Sequence, residues 1–204
     1  MGLVYGGVQK MQTAISRKVR IAQLVEQLEA LPEAAFTDVQ RVRHVLVDNP
    51  VDPETLSPYL FWDSQHYTRN LIAKTDAFEL MAICWDVGQV SAIHNQRDQN
   101  CWMAAPIGRL KVQNYRVISK DLAAHCCEIE PTDLLEINPA NPCAVDPREP
   151  VHSVFNPREF NQRAVTLHVY SRPFDSCEVY SLEKGTCGDI PLHYTSVKGV
   201  LVQK

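Results

Sequence analysis

Apolar residues recur at three- and four-residue intervals only in the first part of the chain. Over 16–31, SRKVRIAQLVEQLEAL, residues Val19, Ile21, Leu24, Val25, Leu28 and Leu31 fall near helical spacing, with Ser16 as candidate cap and Pro32 just past the end. That pattern predicts an amphipathic helix. A second helix is predicted from Thr37 to Val47, where Val39, Val42, Val45, Leu46 and Val47 form the stripe after the candidate cap Thr37. A third, short one starts at Asp52-Pro53 and stops by Pro58. Each stripe is the face by which a helix packs on a core.

From Leu60 onward the texture changes to short apolar runs separated by turn residues. The predicted strands are Tyr67–Ala73, Phe78–Trp85, Ser91–His94, Cys101–Ile107, Arg109–Val117, Ala124–Ile129, Asp133–Ile137, Val151–Phe155, Ala164–Tyr170, Cys177–Ser181 and Ile190–Ser196. Many short strands of this kind make an antiparallel sandwich or barrel. The expected architecture is therefore mainly β, with residues 1–59 a small helical lobe packed on a barrel of residues 60–204, all one structural domain. The polar, proline-rich segment Asn138–Pro150 is read as a loop rather than a boundary.

A chain of 204 residues, 45% hydrophobic and 22% charged, can bury a real core. Its net charge of -4 and lack of a basic cluster exclude a nucleic-acid-binding surface of the usual kind. Nowhere does an apolar run reach the length needed to cross a bilayer, so no membrane partner is expected, and the expected compartment is the cytoplasm. The expected state is a monomer or weak homo-oligomer. Seven cysteines, without a C-x2-C pair, argue against a zinc ribbon and against a disulfide framework. Most are expected to be reduced structural thiols, the adjacent Cys126 and Cys127 among them.

Candidate chemistry is concentrated in CWDVGQVSAIHNQRDQNCWMAAPIG, residues 84–108. Strand alternation puts His94 and Gln96 on one face, about 7 Å apart along the backbone. Two such donors can converge on one metal, and an imidazole beside a hard, neutral amide oxygen favours iron or manganese over a thiolate-type zinc site. The alternative is a hydrogen-bonded, metal-free polar pair inside a barrel. Asp98 continues the same alternation and is a substitute donor. A second cluster, His152-Ser153-Val154-Phe155-Asn156, opens a later strand. In a third, Thr166, His168 and Tyr170 share a strand face, so a hydroxyl can fix the imidazole and the imidazole can address the phenol. The fourth is Tyr67-Thr68-Arg69-Asn70.

Gly88, His94, Gln96, Cys101 and Gly108 are spaced as in the first motif of the cupin superfamily, and His152 through Asn156 is similar to the end of its second motif. Cys101, where most cupins have Glu, resembles the thiol dioxygenase branch typified by cysteine dioxygenase. The run Thr166 to Cys177 resembles that family's S-L-H-L-Y-S-P-P-F-D-T-C, and Tyr67 to Asn70 its Y-T-R-N. The resemblance covers residues 18 to 200. It implies a single cupin, jelly-roll-like barrel holding Fe(II), with a small thiol, L-cysteine first among them, oxidised by O2 to a sulfinic acid. It further implies His94, Gln96 and His152 as metal ligands. Arg69, helped by Tyr67, would clamp the substrate carboxylate, for which a planar guanidinium fork is suited. Tyr170 and His168 would flank the thiol and dioxygen, Thr166 would orient His168, and Cys101 with Tyr170 would match the pair that forms a thioether in animal-type enzymes.

The chain departs from the pattern at three places: Pro150-Val151 stands where the second cupin motif usually has a glycine, and two further departures fall in the motifs of the expected site. Gln96 stands where the family has a metal-binding His, and Arg172 replaces one Pro of the family run, so the family's cis Ser-Pro bond cannot form there. A neutral Gln preserves the positive charge that favours thiolate binding while donating less strongly than imidazole. Three functions are consistent with these residues: an iron-dependent thiol dioxygenase; a cysteine-oxidising tailoring oxygenase giving a different oxidised sulfur product; and a non-catalytic, ligand-binding cupin. Gln96 and Arg172 favour the second, and the intact Arg69 and Thr166-His168-Tyr170 set opposes the third.

Overall fold

A computed structural model of the chain describes residues 18–145 and 150–203. Ser16, proposed as a cap, and residues 1–17 of the predicted lobe lie outside the described residues, as do 146–149 of the predicted loop. Helix α1 spans Ile21–Glu29 and buries Ile21, Leu24 and Leu28, the stripe expected from the sequence. Helix α2 spans Val39–Asp48 and buries Val42 and Leu46. Its cap is Asp38 rather than Thr37: the carboxylate accepts from Gln40 N at 3.0 Å and Arg41 N at 3.3 Å. Thr37 instead ends a 3-10 turn, Glu33–Thr37, and its hydroxyl donates to Ala34 O. A carboxylate at this position also gains from the helix dipole, which a hydroxyl does not. The third helix is a 3-10 helix, Pro53–Tyr59, begun by Asp52 and carrying Pro58 inside it.

Among the described residues thirteen strands follow: β1 Thr68–Lys74, β2 Glu79–Trp85, β3 Ile93–His94, β4 Cys101–Ile107, β5 Leu110–Asp121, β6 Cys126–Ile137, β7 Cys143–Ala144, β8 Val151–Phe155, β9 Ala164–Tyr170, β10 Ser176–Ser181, β11 Thr186–Pro191, β12 Ser196–Val197 and β13 Val200–Leu201. One sheet has the order β13-β12-β1-β2-β9-β4-β7, and the other closes on itself as β10-β11-β6-β5-β8-β3. The fold is mainly β and of the cupin type, as expected.

Several boundaries differ from the sequence reading. The predicted strands Ala124–Ile129 and Asp133–Ile137 are one strand, β6, which begins only at Cys126 and runs through Pro131, because that proline, which cannot donate, sits opposite Tyr115 where the register slips. Residues 190–196 are not one strand. Pro191 ends β11, after which Leu192 N bonds Asp175 O and Thr195 N bonds Arg69 O, carrying the chain across to the other sheet. The Asn138–Pro150 loop contains β7, paired with Trp102 and Met103.

Alternation sorts the central strands between two cores. Leu80, Ala82 and Cys84 of β2, with Val165, Leu167 and Val169 of β9, meet Leu24, Leu28, Val42 and Leu46 of the helices in one apolar cluster. Trp102 Nε1 donates to Val39 O at 2.8 Å, tying the sheet to α2. The intervening residues Met81, Ile83 and Trp85 face the barrel interior. Thr166, His168 and Tyr170 therefore lie on the inner face of β9, while their neighbours hold the lobe. Both motif glycines have positive φ, Gly88 at 85° and Gly108 at 69°. At Gly108 a Cβ would lie 2.7 Å from Arg163 O, so the turn joining β4 to β5 requires glycine.

Candidate active site

Tyr67, Arg69, His94, His168 and Tyr170, from β1 and its approach, β3 and β9, line a common pocket whose remaining wall includes Ile83, Trp85, Val154, Phe174, Cys177 and Leu192. Long-range pairing brings these elements together. His94 pairs with His152 of β8 on one side and Val179 of β10 on the other, and β9 runs between β2 and β4.

The His94 ring has Nδ1 at 2.8 Å from Ala92 O. A carbonyl can only accept, so the hydrogen sits on Nδ1 and Nε2 keeps its lone pair free for a ligand. The His94 and His152 rings are 4.7 Å apart, edge to face. Beside them lies the buried Gln96. Its amide nitrogen is 3.0 Å from His152 Nε2 and 3.1 Å from Nδ1. An approach equidistant from both ring nitrogens is not the linear geometry of a strong hydrogen bond to either. Gln96 Oε1 is buried with no hydrogen-bond partner among the described residues.

Burial lowers the pKa of His94, assisted by the nearby Arg69 charge and opposed by the Ala92 carbonyl. Burial takes His152 well below its usual value, with His94 and His168 adding to the effect. His168 is brought down to about 3, first by burial and then by His94 and Arg69. The three imidazoles are thus neutral at pH 7, the form that binds metal. Among the described residues no group of three or more His, Cys, Asp or Glu side chains is placed to hold a metal. A metal here would use His94 and His152 with the Gln96 amide oxygen. Those donors fit one: two neutral imidazoles next to an orphaned, buried carbonyl oxygen. Asp98 does not join them. β3 ends at His94, and Arg97 and Asp98 both adopt positive φ, which leaves Asp98 exposed in a turn.

Behind the pocket runs a hydrogen-bonded chain. Trp85 Nε1 donates to Thr166 Oγ1 at 2.9 Å, Thr166 Oγ1 lies 2.9 Å from His168 Nε2, and His168 Nδ1 lies 3.2 Å from the Tyr170 hydroxyl. Trp85 can only donate. Where the Thr166 hydroxyl in turn donates to His168 Nε2, the imidazole hydrogen sits on Nδ1 facing Tyr170. Tyr170 then accepts from His168 and has its own hydrogen free for the pocket. Burial raises the pKa of Tyr170 well above the usual value, with Cys101 contributing, so the phenol stays protonated.

Cys101 of β4 is the direct cross-strand partner of Tyr170. The Ser171-Arg172 peptide is trans, and exposed Arg172 turns to Gln99 Oε1 at 3.0 Å, leaving Tyr170 on His168. Tyr67 stacks on Trp85 with ring centroids 4.6 Å apart. Sequence reasoning missed the part played by Trp85. The signal was available, since Trp85 alternates with Met81 and Ile83 on the face that meets Thr166. It also left Cys177 among the structural thiols, whereas Cys177 is part of the pocket wall.

A family model described as cysteine dioxygenase type I matches residues 10–183. The chain is 29% identical to cysteine dioxygenase type 1 of Rattus norvegicus over 93% of this chain and 92% of that protein. It is 26% identical to the Danio rerio protein of the same name over 92% of each. A solved Klebsiella pneumoniae protein with a double-stranded β-helix domain aligns with a TM-score of 0.41 at 14% identity, covering 57% of this chain and 86% of that one.

Proposed function

Because the chain belongs to the cysteine dioxygenase type I family, we propose that it catalyses oxidation of the sulfur of L-cysteine, or a close small thiol, by O2 at an iron(II) centre held by His94, Gln96 and His152. The observation that carries this reading is the convergence on one pocket of a guanidinium, a free imidazole nitrogen and a buried phenol, with an orphaned amide oxygen behind them. When bound, iron(II) supplies the redox activation of O2 and a cationic seat for a thiolate.

The chain's own residues supply the rest. Arg69 binds the substrate carboxylate through its planar fork, and Tyr67, stacked on Trp85, bounds the same end of the pocket. Ile83, Val154, Phe174 and Leu192 exclude water and so strengthen that ion pair. His94 and His152 stay neutral, so the donor set adds no negative charge to compete with an incoming thiolate. Thr166 holds His168 in one tautomer, and His168 holds Tyr170 with its hydrogen available to the reacting sulfur or oxygen. In balanced form a thiol and one O2 give a sulfinic acid, with both oxygen atoms retained. Cys101, the cross-strand partner of Tyr170, would join its phenol ring through a thioether, the S–H and ring C–H hydrogens being taken up by O2 as hydrogen peroxide.

Gln96 supports a second reading within the same chemistry. A weaker donor in place of an imidazole favours a different oxidised sulfur product of cysteine, as a tailoring oxygenase would make. No helix among the described residues is long and apolar enough to cross a membrane, and the proposed setting is cytoplasmic. Anaerobic reconstitution with Fe(II), addition of L-cysteine and isotopically labelled O2, and mass spectrometry of the products tests both readings. Cysteine sulfinic acid carrying two labelled oxygens supports the first, another oxidised sulfur product supports the second, and unchanged cysteine refutes both.

A further inference from the structure

Glu79 is completely buried on the inner face of β2, and neither the candidate metal donors nor the Trp85-to-Tyr170 chain uses it. It shares that face with Met81, Ile83 and Trp85, and the register sets it opposite Tyr170 on β9 and Lys74 on β1. One carboxyl oxygen accepts from the Tyr194 hydroxyl and lies 3.8 Å from Lys74 Nζ. The other oxygen has no partner among the described residues. A buried carboxyl half satisfied is costly to packing, which singles Glu79 out as more than a filler of the core.

Its hydrogen-bond partner leads to the pocket. The Tyr194 ring has the Arg69 guanidinium 5.6 Å from its centroid and Lys74 Nζ at 5.7 Å, both within reach of a cation–π contact. Arg69 otherwise makes a long hydrogen bond of 3.4 Å to His193 O. The backbone is tied at the same place, Thr195 N to Arg69 O at 2.7 Å and Arg69 N to Thr195 Oγ1 at 3.3 Å. A guanidinium drawn toward a ring by a cation–π contact keeps N–H groups unspent, and these are what a carboxylate binds.

We propose that Glu79 and Tyr194 are positioning residues for the Arg69 clamp: Glu79 fixes the Tyr194 phenol, and the ring of Tyr194 holds the guanidinium facing the pocket. The ligand chemistry follows. The site takes thiols that carry a carboxylate in preference to thiols that lack one, an assignment that rests on the function proposed above, whereas the positioning does not.

Two measurements separate these levels. In ligand-free protein, the Nε–H resonance of Arg69, identified by its loss in Arg69→Lys, is followed by heteronuclear NMR for exchange with solvent. Tyr194→Leu, which removes the ring, is expected to speed exchange by about tenfold. Tyr194→Phe and Glu79→Ala should speed it less, and Glu79→Gln, which keeps an acceptor for the phenol, should rescue it. In iron-loaded protein, Tyr194→Leu should raise KM for L-cysteine by about tenfold with kcat within about twofold, and leave cysteamine unaffected. Unchanged Arg69 exchange in both Tyr194→Leu and Tyr194→Phe overturns the inference. Faster exchange with no change in the preference for cysteine over cysteamine upholds the positioning and removes carboxylate recognition from the proposed function.

Discussion

The Gln96 amide nitrogen stands 3.0 Å from Nε2 of His152 while the amide oxygen, equally buried, bonds to nothing among the described residues. An unsatisfied buried acceptor costs about 1–3 kcal/mol, and coordination to a metal shared with His152 would remove that cost. On that basis Gln96→Ala is expected to lower iron affinity by on the order of tenfold or more. Gln96→His should bind iron at least as tightly as the wild type. Metal titration monitored by elemental analysis checks both, and unchanged iron content in Gln96→Ala would make Gln96 a bystander.

Arg69→Ala should weaken L-cysteine binding by about ten- to a hundredfold, the worth of a charge-assisted hydrogen bond, while leaving iron content unchanged. Calorimetric titration with cysteine and with cysteamine is the check. Equal affinities of the wild type for the two thiols would rule out a carboxylate clamp.

Stability of the metal-free protein should fall as the pH is lowered from about 6.5, the histidine value in an unfolded chain, toward 3. His168, brought down to about 3 by burial, is neutral when folded in this window, whereas the unfolded chain takes up a proton. Its share of the loss between pH 7 and pH 5 is about 2 kcal/mol. His94 and His152, shifted in the same direction, add to it. Denaturant unfolding at the two pH values measures the difference, which His168→Gln should shrink; a pH-independent midpoint would contradict neutral burial of these rings.

Cys101 and Tyr170, direct partners across β4 and β9, are expected to join in iron-loaded protein turning over substrate in air. Tandem mass spectrometry should find their peptides linked and lighter by two hydrogens. Linkage should disappear in Cys101→Ser. Recovery of only free peptides after full turnover would exclude the crosslink.

Trp85→Phe removes the donor that orients Thr166 while keeping an aromatic ring for Tyr67 to stack on. The expected result is a kcat reduced by about tenfold or more with little change in KM, since the Trp85-to-Tyr170 chain acts on the reacting atoms rather than on binding. Steady-state kinetics on cysteine checks it, and a change confined to KM would place Trp85 in substrate binding instead.

Much of this protein could be read from its residues in one dimension. Helical spacing set the buried stripe of α1 at Ile21, Leu24 and Leu28, and period-two alternation put Thr166, His168 and Tyr170 on one face. Both patterns depend on neighbours a few positions apart, so the sequence carries them directly. The motif glycines 88 and 108, both at positive φ, marked turns for the same local reason. The tertiary structure decided the rest. The turn after Gln96 took Asp98 out of the site, and the register of β3 on β8 set His152 beside His94. The crossing of the chain after Pro191 laid Tyr194 between Arg69 and Glu79, residues more than a hundred positions away. Such contacts come from strand order and register, which are chosen by the burial of the whole inner face at once and leave no periodic trace in the residues that end up touching.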